Sequence, residues 1–248
     1  MRGVRALLLK TAPGKFSKSG KFSCFRLKSA TGRATGCKMR GITKRLTSRV
    51  FSKGTVPTGP AAWRGTAWRG KGGGLRRGKA VDAQVSRLAN LSESKRGGAK
   101  MLKFTRLAFA ALKYHDLVPI GSQRVVLDAA KRLGTAVDVV CTRRTNEVVL
   151  VELKCGFAGL RTAAVSPAAN LNGPLTKATD CILHRHFAQL AATTALFVAE
   201  RGTLRALKTK GVEKIGAVLL YVNDDATVKY ELPDWWRRRG AKILSSIA

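Results

Sequence analysis

No Asp or Glu occurs in the first 81 residues, while the same stretch carries 21 Lys and Arg. A segment with one sign of charge and little patterned apolar content repels itself, and collapse must offset that repulsion as well as the entropy of ordering. Residues 1–75 are therefore expected to form a basic, largely disordered arm, and 76–248 a folded body. From Asp82 onward 26 basic residues face 14 acidic ones, a far more balanced mixture. The whole chain carries a formal charge of +33 with a pI near 11.2. Charge of this size calls for a polyanionic partner, and nucleic acid, DNA first, is the expected one.

The body has enough material for a core, since 45% of the 248 residues are apolar. No apolar run approaches the roughly 20 residues that span a bilayer, so no membrane association is expected. The five cysteines, Cys24, Cys37, Cys141, Cys155 and Cys181, form no CxxC pair, and their odd number suits a reducing compartment better than a disulfide framework. The start, Met-Arg-Gly-Val-Arg-Ala-Leu-Leu-Leu-Lys, satisfies two readings. It is basic and amphipathic like an organelle transit peptide, which keeps mitochondrial import open. It also suits an arm that neutralises DNA in a nucleus or virion. Near the end of the arm, Trp63-Arg64-Gly65 is echoed by Trp68-Arg69-Gly70. There Arg64 and Arg69 could bind phosphate while the tryptophans stack on exposed bases; a solvated linker is the plain alternative. Arg76 and Arg77 extend this basic strip, and Trp235 with Arg237 offers a second stacking and phosphate-binding pair, or else a capped domain edge.

Beyond residue 78 the periodicities are those of an α/β fold. Val81, Val85 and Leu88 repeat at helical spacing, and a second helix is expected over 100–114. Strands follow at 124–128, 136–141 and 147–154, the last two forming a hairpin. A long helix over 179–200, a buried apolar strand at 216–222 and an edge strand at 227–232 complete the pattern. The order implies helices flanking a central mixed sheet.

The hairpin carries the chemistry. If its turn centres on residue 145, Asp138 and Glu152 lie opposite each other on one face, with Cβ atoms roughly 5 Å apart. Lys154 joins that face, because alternate residues of a strand point the same way. Two carboxylates and an ammonium in a Val- and Leu-rich hairpin cost several kcal/mol to bury unless a cation or mutual pairing offsets it. Hard oxygen ligands suit Mg²⁺, with Mn²⁺ as a substitute, and the implied reaction is metal-assisted phosphodiester hydrolysis in which Lys154 serves the nucleophile. The plain alternative is a salt-bridged structural hairpin.

Asp138, thirteen intervening residues, then Glu152-Leu153-Lys154 resembles the signature of the PD-(D/E)XK nuclease superfamily. Arg77-Gly78-x-x-x-Asp82, Lys154-Cys155 and His186-Phe-Ala-Gln189 resemble motifs of its phage lambda exonuclease-like branch. The resemblance spans residues 76–232. It implies a restriction-endonuclease-like sandwich with an α-β-β-β-α-β core, a metal site of Asp138, Glu152 and Asp82, and a supporting role for Gln189 beside Lys154. Two positions depart from the pattern: Val137 and Gly156 stand where the family has proline. The expected function is thus a Mg²⁺-dependent nuclease acting mainly on DNA. A non-enzymatic DNA-condensing or packaging protein on a nuclease-like scaffold is the alternative class, and an RNA-binding organelle protein a third. Oligomeric state is not encoded in any pattern noted above.

Overall fold

The computed structural model describes all residues except 1, 11–13, 20–21, 29–33, 53–72, 145, 157–169 and 224–226, with backbone alone at 2, 9–10, 14–19, 22–28, 34–38 and 73–75. The fold is α/β, an open mixed sheet flanked by helices. Its centre is β5 (Leu133–Arg143) paired antiparallel to β6 (Glu147–Cys155), with β4 (Val118–Asp128) antiparallel on the other side of β5. β7 (Lys214–Val222) runs parallel to β6 along its full length, and β8 (Thr227–Glu231) closes that edge antiparallel. β3 (Ala34–Gly41) pairs parallel with the start of β5 through Arg40–Leu133 and Gly41–Gly134, giving six strands. A hairpin of β1 (Gly14–Ser19) and β2 (Phe22–Lys28) continues the sheet beyond β3.

β6 is apolar along nearly its whole length because both its faces are covered. Val149 and Val151 pack with Val81 and Val85 of α3 (Gly73–Ala89) and Phe104 and Ala108 of α5 (Lys103–Tyr114). Val148 and Leu150 join the opposite core, built with α6 (Ile182–Ala199). In that larger core α6 is buried on almost every side, which explains a helix with little amphipathic contrast. Two short helices lie in the connections, α4 (Glu93–Gly97) between α3 and α5 and α7 (Arg201–Lys208) between α6 and β7.

Two findings depart from the sequence reading. First, the arm expected to be largely disordered is folded onto the body over part of its length. α1 (Arg2–Lys10) buries Val4 and Leu8, and α2 (Ile42–Arg49) buries Ile42 and Leu46, all in the α6 core. Apolar residues at four-residue spacing provide enough burial to outweigh the repulsion of the intervening cations, of which Lys44 and Arg49 are exposed while Arg5 and Arg45 are half-buried, Arg5 donating to the Asn90 carbonyl. Second, the Trp235–Arg239 segment lies in a helix, α8 (Asp234–Ile247), that buries Trp236, Ile243, Leu244 and Ile247. Gly240 lets α8 approach α6 closely: a Cβ there would stand 2.5 Å from the Ala191 carbonyl oxygen.

Candidate active site

The ladder between β5 and β6 runs from Arg143–Glu147 to Val139–Val151. Asp138 and Glu152 are the next positions in this register, but the strands separate there. The Leu153 N–H donates to Asp138 Oδ2 at 2.9 Å instead of to a strand carbonyl. Local irregularity accompanies the split. Val139 and Cys141 join the α3/α5 core while Val137 and Val140 join the α6 core, so strict alternation slips at Asp138. On β4, Gln123 lies between the Ser122–Val139 and Arg124–Val137 pairs and adopts φ 51°. Non-glycine residues in this region carry strain that surrounding structure must hold in place.

Glu152 is 3% exposed, and one of its oxygens is the focus of the cluster. Lys154 Nζ donates to Glu152 Oε1 at 2.6 Å, and Gln189 Nε2 donates to the same oxygen at 2.5 Å. Lys154 Nζ also lies 3.4 Å from Gln189 Oε1, closing a triangle of strand and helix side chains. Charge-assisted hydrogen bonds of this length make a buried carboxylate tolerable. Burial opposes the charged form of Lys154, but Glu152 and Asp138 outweigh it and hold the ammonium above its ordinary pKa. Asp138 is in the opposite situation: burial first, then the negative charges of Glu152 and Asp82, push its carboxyl well above the usual range. Lys154 and the single backbone N–H offset this only in part.

Asp82, on α3, is exposed and accepts a hydrogen bond from Gln123 Nε2 at 3.0 Å. It is near enough to raise the pKa of Asp138, yet among the described residues no three His, Cys, Asp or Glu side chains gather closely enough to hold a metal ion. The chemistry of the donors still suits a divalent cation. Two hard carboxylates converge with an excess of negative charge that drives one of them toward its neutral form, and a cation would relieve that excess. Asp138 and Glu152 are the residues that would hold it, with Asp82 beyond them.

Gln123, His186 and Tyr221 also belong to this neighbourhood. Tyr221 pairs with Lys154 across the β6–β7 ladder, and its hydroxyl lies 2.7 Å from His186 Nδ1. Burial, then the charges of Lys154 and Arg185, push His186 well below its ordinary pKa, so the ring is neutral. The strand run that contains Tyr221 reads as buried apolar structure, and only the parallel register reveals its place beside Lys154. Gln123 gives no signal in sequence because its role depends on a positive φ. Cys155, next to Lys154, is pushed up to about 12 by burial and remains a thiol.

The residues expected to grip nucleic acid fare unevenly. Arg64 and Arg69 lie outside the described residues. Arg76 is exposed at the start of α3, whereas Arg77 is 1% exposed, its guanidinium stacked 4.3 Å above the Phe104 ring. Arg237 donates to the Ile215 carbonyl at 2.9 Å, and Trp235 is half-buried beneath Arg239 at 3.6 Å. The Arg237 bond fastens α8 to β7, and the Arg239–Trp235 stack lies within the helix. No helix among the described residues is long and apolar enough to cross a membrane. Comparison with known families and with curated proteins finds no match for this sequence.

Proposed function

We propose that the chain is a divalent-cation-dependent nuclease that hydrolyses phosphodiester bonds, mainly in DNA, and that its sheet belongs to the restriction-endonuclease-like sandwich of the PD-(D/E)XK superfamily. The observation that carries this reading is the meeting of Glu152, Lys154 and Gln189 at the point where β5 and β6 part, with Asp138 beside them. The chain order α3, β4, β5, β6, α6, β7 supports the α-β-β-β-α-β arrangement once the short α4 and the helix α5 are set between α3 and β4.

A divalent cation held by Asp138 and Glu152 would supply Lewis acidity at the scissile phosphate. The other roles fall to the chain itself. Lys154, seated on Glu152, would position the nucleophile and stabilise the negative charge that develops on the phosphate. Gln189 orients Glu152 and limits the freedom of the Lys154 ammonium. Arg76 and the basic residues of the arm bind the backbone without base preference, so binding weakens steeply with salt.

The charge of +33 and the absence of a three-ligand metal cluster among the described residues favour a second reading, DNA condensation without cleavage. Incubating the protein with labelled DNA and RNA in Mg²⁺, Mn²⁺ or chelator, beside Glu152→Ala and Lys154→Ala, separates the two. Cleavage by the wild type alone, and only with metal, supports the nuclease. Tight binding with intact products in every lane supports condensation.

A further inference from the structure

On the α5 side of the sheet, a cavity of about 480 Å³ opens between α4, α5 and the start of β4. Val118, at its edge, pairs with Thr142, four residues along β5 from Asp138. At the rise of a strand this places the cavity about 13 Å or more from the carboxylates. Arg106, Phe109, Ala110 and Lys113 present one side of α5 to it, at three- and four-residue spacing. Met101, Leu117, Val118 and Pro119 add apolar wall, and Glu93 and Asp116 also line the cavity.

Arg96 stands in that wall. It is 8% exposed, with its guanidinium 5.4 Å from the centre of the Phe109 ring, and its Nη1 is buried without a hydrogen-bond partner. Two other arginines of the body meet carboxylates, buried Arg124 with Glu200 at 2.7 Å and half-buried Arg185 with Asp180 at 2.5 Å, while buried Arg77 stacks on Phe104 with no cavity beside it among the described residues. Glu93, three residues earlier, attracts the Arg96 guanidinium but leaves its Nη1 without a hydrogen bond, and lies 3.7 Å from Lys113. A buried guanidinium edge with no acceptor is costly, and a cavity beside it is where an acceptor can enter.

We propose that this cavity binds a small amphipathic carboxylate, its anionic head paired with Arg96 and its apolar body lying along Phe109, Leu117 and Val118. The volume falls within the range of small-molecule sites. One guanidinium satisfies a carboxylate through two parallel N–H donors, whereas a phosphate dianion needs more donors than this apolar wall offers. Arg96, Arg106 and Lys113 face Glu93 and Asp116 around the cavity, and this small excess of positive charge favours an anion over a neutral ligand.

The test is calorimetric titration of the full chain with decanoate below its micelle concentration, beside decanol and inorganic phosphate. Decanoate is expected to bind saturably at one site, at least tenfold more tightly than either. Arg96→Met should weaken decanoate at least tenfold while leaving the thermal midpoint of the free protein unchanged or higher, because an unanswered charge is replaced by an apolar chain of similar length. Ala110→Phe, which fills the cavity from an exposed helix position, should abolish binding with Arg96 intact. Equal affinity for decanol, tighter binding of phosphate, full affinity in either variant, or no saturable binding would overturn the proposal.

Discussion

Two carboxylates, Asp180 fully buried and Asp138 half-buried, show opposite electrostatics. Asp180, just before α6, is fully buried and accepts hydrogen bonds from Arg185 Nε at 2.5 Å, Arg185 Nη2 at 3.0 Å and the Ser52 N–H at 2.6 Å. Burial opposes its ionisation, but these donors outweigh it and hold the carboxyl below its ordinary range. Asp138 accepts from one backbone N–H and faces two further carboxylates, and its pKa rises. The difference teaches that burial alone does not decide the state of an acid; the number of donors around it does. The first cluster is closed and ties the segment after α2 to α6. The second has an unmet demand for positive charge, the arrangement found where a site awaits a ligand.

The largest effect comes from disarming the second cluster. Glu152→Gln and Lys154→Met should each lower DNA cleavage by about a thousandfold, as does loss of a charge-stabilising group in other enzymes, with binding retained in gel-shift assays. Cleavage by either variant within tenfold of wild type would remove these residues from the chemistry. Opening the first cluster should act on stability instead. Asp180→Ala leaves Arg185 buried without its carboxylate, at a cost of about 3–5 kcal/mol, and should lower Tm by roughly 6–15 °C in a thermal melt. Because the Asp180 pKa is depressed by folding, its stabilisation is present above the unfolded value of about 4 and is lost as pH falls through the folded value. The variant should therefore show a weaker acid-induced loss of stability.

Asp138→Asn sharpens the contrast with the opposite sign. A carboxyl whose pKa is raised by folding binds more protons folded than unfolded, so stability falls as pH rises from about 4 toward the folded pKa. In chelator at neutral pH the amide should melt above wild type, and the gain should vanish near pH 4. A destabilised amide at neutral pH would show that Asp138 is already satisfied. The smallest effect is expected in the arm. Arg64→Ala combined with Arg69→Ala should reduce the slope of log binding constant against log salt by up to about 0.9 per lost phosphate contact, and unchanged slopes would place both side chains off the DNA.

The contrast also explains what the sequence discloses. The β5–β6 register is legible because a tight polar turn joins two runs of β-branched residues, and counting outward from residue 145 places Asp138 across from Glu152. Gln189 is expected beside Lys154 from the resemblance of His186-Phe-Ala-Gln189 to a family motif, whereas its bond to Glu152 is not foreseen, because α6 is buried on almost every side and its spacing singles out no polar face. The closed cluster was not legible. Ser52, Asp180 and Arg185 are joined by a fold-back of the basic arm onto α6, a contact between segments 128 residues apart in sequence. The folding of α1 and α2 was obscured by the same charge excess that led to an expectation of disorder, because four apolar anchors, Val4, Leu8, Ile42 and Leu46, weigh little in a composition dominated by cations. Gln123 escapes notice because a strained backbone dihedral leaves no trace in residue type. α8 hides behind its Trp-Trp-Arg-Arg-Arg run, in which one tryptophan is core and the other lies beneath an arginine.

The central claim is that the parting of β5 and β6 creates a place for a cation between Asp138 and Glu152. Anomalous diffraction from crystals soaked in Mn²⁺ tests it without reference to activity. The expected result is a single strong peak within about 2–2.5 Å of an oxygen of each carboxylate, absent from crystals of Glu152→Gln. A map with no peak there, with Lys154 still seated on Glu152, would contradict it.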